Sequence, residues 1–106
     1  MESLVFVELP NFSRHVYDYL TEDEYIGLQF FLNHRPSAGE MVRGSGGCRK
    51  LRWGVRGRGK RGGVRVIYYY RSARDEMWML TDYAKNEVEN VRGHILRRLR
   101  EEIDNG

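Results

Sequence analysis

A chain of 106 residues, 41% apolar and 12% aromatic, suits one domain around a single modest core and excludes a two-lobed architecture. Cys48 is the only cysteine, which excludes an internal disulfide and a CxxC metal site, and no segment approaches the roughly 20 apolar residues of a membrane span. The net charge is only +3, yet residues 43–65 hold nine basic side chains and no acidic one, whereas residues 1–42 hold two and seven, and residues 66–106 seven and eight. Such clustering makes a local positive field that attracts polyanions even when the whole molecule is nearly balanced.

Leu4, Val5, Phe6 and Val7 form a β-prone run closed by Pro10, and this predicts a first strand. Asn11 can cap the next segment, where Phe12, Val16, Tyr19 and Leu20 recur at helical spacing. Thr21 and Glu24 form a capping box for a second helix, with Glu22 and Asp23 in its first turn. Its apolar residues Tyr25, Leu28, Phe31 and Leu32 share a face, and Pro36 and Gly39 end the pattern.

Cys48–Trp53 and Val64–Tyr70 are β-prone runs on either side of Gly54–Gly63, a stretch with five glycines, so a hairpin with a long loop is expected. Met77–Thr81 is a third strand, reached through a turn at Arg71–Glu76, and the three strands should form an antiparallel meander. Val91, Ile95, Leu99 and Ile103 repeat every four residues in a last helix, with Leu96 widening the stripe. The order β, α, α, β, β, β, α predicts an α+β domain: two N-terminal helices and a C-terminal helix on a twisted, mainly antiparallel sheet.

Two motif matches in the glycine stretch are misleading. Gly57, Gly59 and Gly62 fit GxGxxG, and Gly54, Gly59 and Lys60 fit the start of a phosphate-binding loop. Both motifs need a helix to open at their end, and here a strand follows.

A different chemistry is carried by the flanking strands. Lys50 and Arg52, two apart, leave one sheet face while Leu51 leaves the other, and Arg65 on the next strand can lie across from them. Cations that converge on one face repel unless an anion is expected there, and a nucleic-acid phosphate is the natural anion. Arg49, with Arg56, Arg58, Lys60 and Arg61 on the loop, would grip RNA by charge. Tyr68 and Tyr70 cannot share a face with Tyr69, and an exposed aromatic near this sheet could stack on an unpaired base. His15, His34 and His94 form no visible acid–base pair, and Ser45 and Cys48 have no evident activating neighbour.

Three segments together resemble the RelE/HigB toxins of type II toxin–antitoxin modules, particularly the HigB-like branch: Gly44–Trp53, Gly57–Tyr69 and Asp82–Glu87. The resemblance implies a microbial-RNase-like fold over residues 1–106 and a ribosome-dependent mRNA endoribonuclease that inhibits translation and growth. It implies metal-independent cleavage by 2′-hydroxyl attack, with no cofactor. It also implies a cognate antitoxin of helix-turn-helix type and partners in the ribosome, mRNA and rRNA; the single cysteine and the lack of a basic, apolar start or a membrane-length apolar run in the residues themselves predict no membrane and a cytoplasmic location. Carried over to this chain, Lys50 and Arg52 resemble the cations that contact the scissile phosphate and activate the 2′-hydroxyl. Arg65 resembles the arginine that stabilises the charged transition state, and Lys85 the basic residue before the final helix. The sequence departs from the RelE pattern where Val88–Arg92 stand in place of a tyrosine; the general base is left open, with Tyr83 the nearest alternative. Two other readings fit the same basic stretch: a non-catalytic RNA-binding module with an Arg-Gly loop, and a toxin-like scaffold whose basic face holds an acidic antitoxin segment.

Overall fold

The computed structural model describes residues 3–55, 59–84 and 91–106, with the backbone alone at 55 and 59–62. Strand β1 (Val5–Glu8) leads directly into helix α1 (Pro10–Tyr19). Pro10 opens that helix rather than closing the strand, because a ring with fixed φ and no N–H suits the first helical turn. Asn11 accordingly is not the cap; Leu9 holds that position, and the Asn11 amide instead donates to Thr81 Oγ1 at 2.8 Å.

Helix α2 (Glu22–His34) begins with the expected reciprocal cap: Thr21 Oγ1 accepts from the Glu24 N–H at 3.1 Å, and Glu24 Oε1 accepts from the Thr21 N–H at 2.8 Å. These bonds satisfy two donors that the helix leaves orphaned. Then come β2 (Glu40–Met41), β3 (Cys48–Val55), β4 (Gly59–Arg71), a 3-10 turn at Ser72–Arg74, β5 (Glu76–Ala84) and α3 (Gly93–Asn105). The two-residue β2 was not anticipated; it is too short to carry an alternation signal and exists by pairing Glu40 with Lys50 and Met41 with Arg49.

The chain is therefore an α+β protein with three helices among the described residues and a mixed five-stranded sheet, in the order β1-β5-β4-β3-β2. The β3-β4-β5 meander is antiparallel, as expected, and β1 lies parallel to β5. The expected long loop at Gly54–Gly63 is shorter than its composition suggested: β4 begins at Gly59, which pairs with Val55. Glycine permits this because the two backbones approach closely; a Cβ on Gly63 would collide with the Trp53 carbonyl oxygen.

Both sheet faces are covered. On one, Phe12, Val16, Tyr25, Leu28 and Leu32 from α1 and α2 pack on Val64, Val66, Tyr68, Met77 and Met79. On the other, Leu96 and Ile103 of α3 pack with Cys48, Ile67, Leu80 and Tyr83. As alternation required, Tyr68 and Tyr70 face α1 and α2 while Tyr69 faces α3. Among the described residues no helix is long and apolar enough to cross a membrane.

Candidate functional site

The register of the three long strands places Arg52 directly across from Arg65, and Arg65 directly across from Tyr83. Directly paired residues share a sheet face with Cβ atoms about 5 Å apart, so Arg52, Arg65 and Tyr83 form one row across three strands. Lys50 leaves the same face two residues back, opposite Ile67. The row lies four residues along β3 from Cys48, whose thiol contacts the Leu96 carbonyl of α3. Lys50 is half-buried and Arg52 exposed, whereas Arg65 keeps only 8% of its surface.

Arg65 Nη1 is buried and has no hydrogen-bond partner among the described residues. A buried guanidinium nitrogen without an acceptor carries a desolvation penalty of about 1–3 kcal/mol or more, which a bound anion would relieve. Tyr83 is 5% exposed, and burial raises its pKa while the Arg65 charge pulls it back toward the ordinary tyrosine value. A phenol with a raised pKa keeps its proton near neutral pH, so Tyr83 is suited to donate a proton rather than to remove one.

A single β-bulge sets this arrangement. The β4–β5 register shifts between Ile67 and Tyr68, so that Tyr68 pairs with Met79 and Ile67 with Thr81, leaving Leu80 as the extra residue. Without it Arg65 would oppose Asp82, an opposite charge. With it Arg65 opposes Tyr83, and Asp82 moves to the other face, opposite Val66. Asp82 is 5% exposed, and its Oδ1 also lacks a partner among the described residues. Burial raises its pKa to about 7, with His15 opposing the rise and Asp18 and Glu8 adding to it. Two opposite charges of neighbouring strands are thus both buried and held apart.

Arg49 leaves the opposite face from Lys50 and Arg52; its Nη1 donates to the Ser37 and Gly39 carbonyls at 3.1 and 2.7 Å, tying the chain after α2 to the sheet. Arg56, Arg58 and Lys85 lie outside the described residues, as do the side chains of Lys60 and Arg61. Ser45 and Cys48 are structural: the Ser45 hydroxyl donates to the Val42 carbonyl at 2.6 Å and accepts from the Cys48 N–H, while burial pushes the Cys48 thiol up to about 11. His15 approaches Asp18 at 3.4 Å on the surface of α1, and His34 Nδ1 lies 2.9 Å from the Phe30 carbonyl. Among the described residues no group of His, Cys, Asp and Glu could hold a metal ion.

Asp82 was missed in the sequence because the residues after Thr81 read as a connection to the last helix. The signal was there: Asp82 stands between Leu80 and Tyr83 in an unbroken β-prone run, which makes it a strand carboxyl rather than a turn residue. No protein-family model matches this chain.

Proposed function

We propose that this protein is a ribosome-dependent mRNA endoribonuclease of the RelE/HigB-like toxin type, acting in the cytoplasm and inhibiting translation and growth. The observation that carries the reading is Arg65: a buried guanidinium with an unpartnered nitrogen, set between Arg52 and Tyr83 in one row. A phosphodiester seated there would face Lys50 and Arg52 at its non-bridging oxygens and Arg65 where charge grows in the transition state. The ribose 2′-hydroxyl, polarised by Lys50 and Arg52, passes its proton to solvent as its oxygen attacks its own phosphorus; the bond to the 5′-oxygen breaks, and a 2′,3′-cyclic phosphate remains. Tyr83 would give its proton to the departing 5′-oxygen; clustered cations neutralise the added negative charge. The element order and the β1–β5 parallel pairing are compatible with the microbial-RNase-like fold that the resemblance implies. A helix-turn-helix antitoxin is the expected partner, and the ribosome would orient the message, which lets weak intrinsic chemistry suffice.

One observation favours a second reading, a non-catalytic RNA-binding module. Among the described residues of this face, burial raises the pKa values of Tyr83, Tyr69 and Cys48, and none of the three is poised to remove the 2′-proton. Translation in a cell-free extract followed by primer extension separates the two. The toxin reading expects cuts within codons that require ribosomes and that fall by a factor of about a hundred or more in Arg65→Ala, as for loss of one preorganised charge donor. Uncut message in the presence of salt-sensitive RNA binding supports the module; full-rate cutting by Arg65→Ala removes Arg65 from the chemistry.

A further inference from the structure

Beyond its pairing with β1 at Val5–Glu8, β5 runs on to Ala84 with α1 against one face and α3 against the other. Between them opens a cleft of about 920 Å³. Leu9, Leu80, Ile95, Leu96 and Leu99 supply its apolar wall, and Asp82 belongs to its lining. Natural ligand clefts share this composition: a mostly apolar surface with a few placed polar groups, in a volume of roughly 300–1,000 Å³.

We infer that this cleft binds a small organic cation, an ammonium or guanidinium on an apolar body, with the Asp82 carboxylate as its counterion. Two independent observations support the site. The cleft is large and apolar, and within it a carboxyl that is 95% removed from solvent points an oxygen at no hydrogen-bond donor among the described residues. An unpaired buried carboxylate is strongly destabilising; a cationic nitrogen with several N–H groups relieves it more fully than an alcohol, which donates one hydrogen bond without neutralising the charge, and an anion does not relieve it. The bulge at Leu80 takes Asp82 off the face of Arg65, so the buried cation of the neighbouring strand is not its counterion. Tyr83, the proposed proton donor, also lines the cleft, but the cation site stands on Asp82 and the apolar wall and does not rest on the ribonuclease reading.

Charged groups around Asp82 set its pH behaviour. From α1 come Arg14, His15 and Asp18, from β1 Glu8, and α3 presents only Ile95, Leu96 and Leu99 to the cleft. Because Asp82 titrates at about 7, the protonated carboxyl below that pH cannot serve as counterion, and cation affinity rises as pH passes upward through it.

Phenylbutylamine, phenylbutanol and phenylbutyrate share a shape and differ in charge, and their binding to the full chain can be followed by calorimetry and amide chemical shifts. The expected result is that the amine binds about tenfold or more tighter than the alcohol, with the acid weakest. Asp82→Asn should bring the amine down to the alcohol while leaving the fold intact, since it removes a charge that burial disfavours. Wild type and His15→Gln should both bind the amine more tightly at about pH 8 than at about pH 6, and Asp82→Asn should not. Ile95→Ala should weaken amine and alcohol alike. Equal affinity for amine and alcohol, a charge preference that survives in Asp82→Asn, or binding that Ile95→Ala leaves unchanged would each overturn the site.

Discussion

Asp82 and Arg65 show what a single residue can be made to carry. Their types were legible, and for Arg65 so was the face it shares with Lys50 and Arg52, because alternation fixes facing whenever a strand is recognised; that Arg52 rather than Lys50 stands directly across is set by the register. Depth was not legible. Nothing in the residue string states that Arg65 ends 8% exposed or Asp82 5% exposed, and the bulge that parts them depends on one extra residue in β5. The consequence for stability can be worked out with its sign. Asp82 has an ordinary carboxyl pKa when unfolded and about 7 when folded, so the native state holds the proton more tightly. Its contribution is fully present below about pH 4 and is lost as pH rises to about 7, a change of roughly 2–4 kcal/mol. Chemical denaturation of wild type across that window should show the decline, and Asp82→Asn should flatten it and be the more stable protein at about pH 8. A wild-type profile that rises over the same window would mean that Asp82 has a counterion in the native state.

At the scale of elements, local chemistry was read well where it is self-contained. The capping box at Thr21 and Glu24 specifies the start of α2 within four residues, and the structure reproduces both of its bonds. Elements that depend on a distant partner were harder. Strand β2 exists only through β3, and the glycines after Gly59 became strand because β3 offers a backbone that they alone can approach. Gly63 is a close point of that approach, lying against the Trp53 carbonyl two residues before Arg65. Gly63→Ala should therefore force β3 and β4 apart, costing about 1–3 kcal/mol in urea denaturation. It should also weaken RNA binding by spoiling the row, an effect that an alanine at the exposed Gly44, with open space around its Cβ, should not share beyond the strain of its positive φ. Equal losses at the two positions would show that the close β3–β4 approach has no special bearing on the site.

Over the whole molecule the decisive property is where charge is gathered. The sequence shows nine cations between residues 43 and 65, and the fold divides them: Lys50, Arg52 and Arg65 share one sheet face, whereas Arg49 is engaged with backbone carbonyls on the other. The parallel β1–β5 pairing, which puts the N-terminal strand at the far edge from β2 and the basic β3, had no signature in sequence, since it joins residues some seventy positions apart. Counterion release turns this division into a measurement, because each neutralised phosphate of a single strand contributes about −0.7 to the slope of log affinity against log salt. Engagement of the three sheet cations together with Arg56, Arg58, Lys60 and Arg61 gives a slope of about −5, and the sheet cations alone give about −2. Binding of a short uridine oligomer by the wild type should follow the steeper line, and alanine at the four loop positions should bring it to the shallower one while cleavage on the ribosome falls only in step with affinity. Arg65→Ala should do the reverse, changing the slope by less than about one while lowering cleavage by a factor of about a hundred or more. If neutralising the loop leaves the slope unchanged, those four side chains do not contact phosphate, and the sheet face alone accounts for the basic stretch.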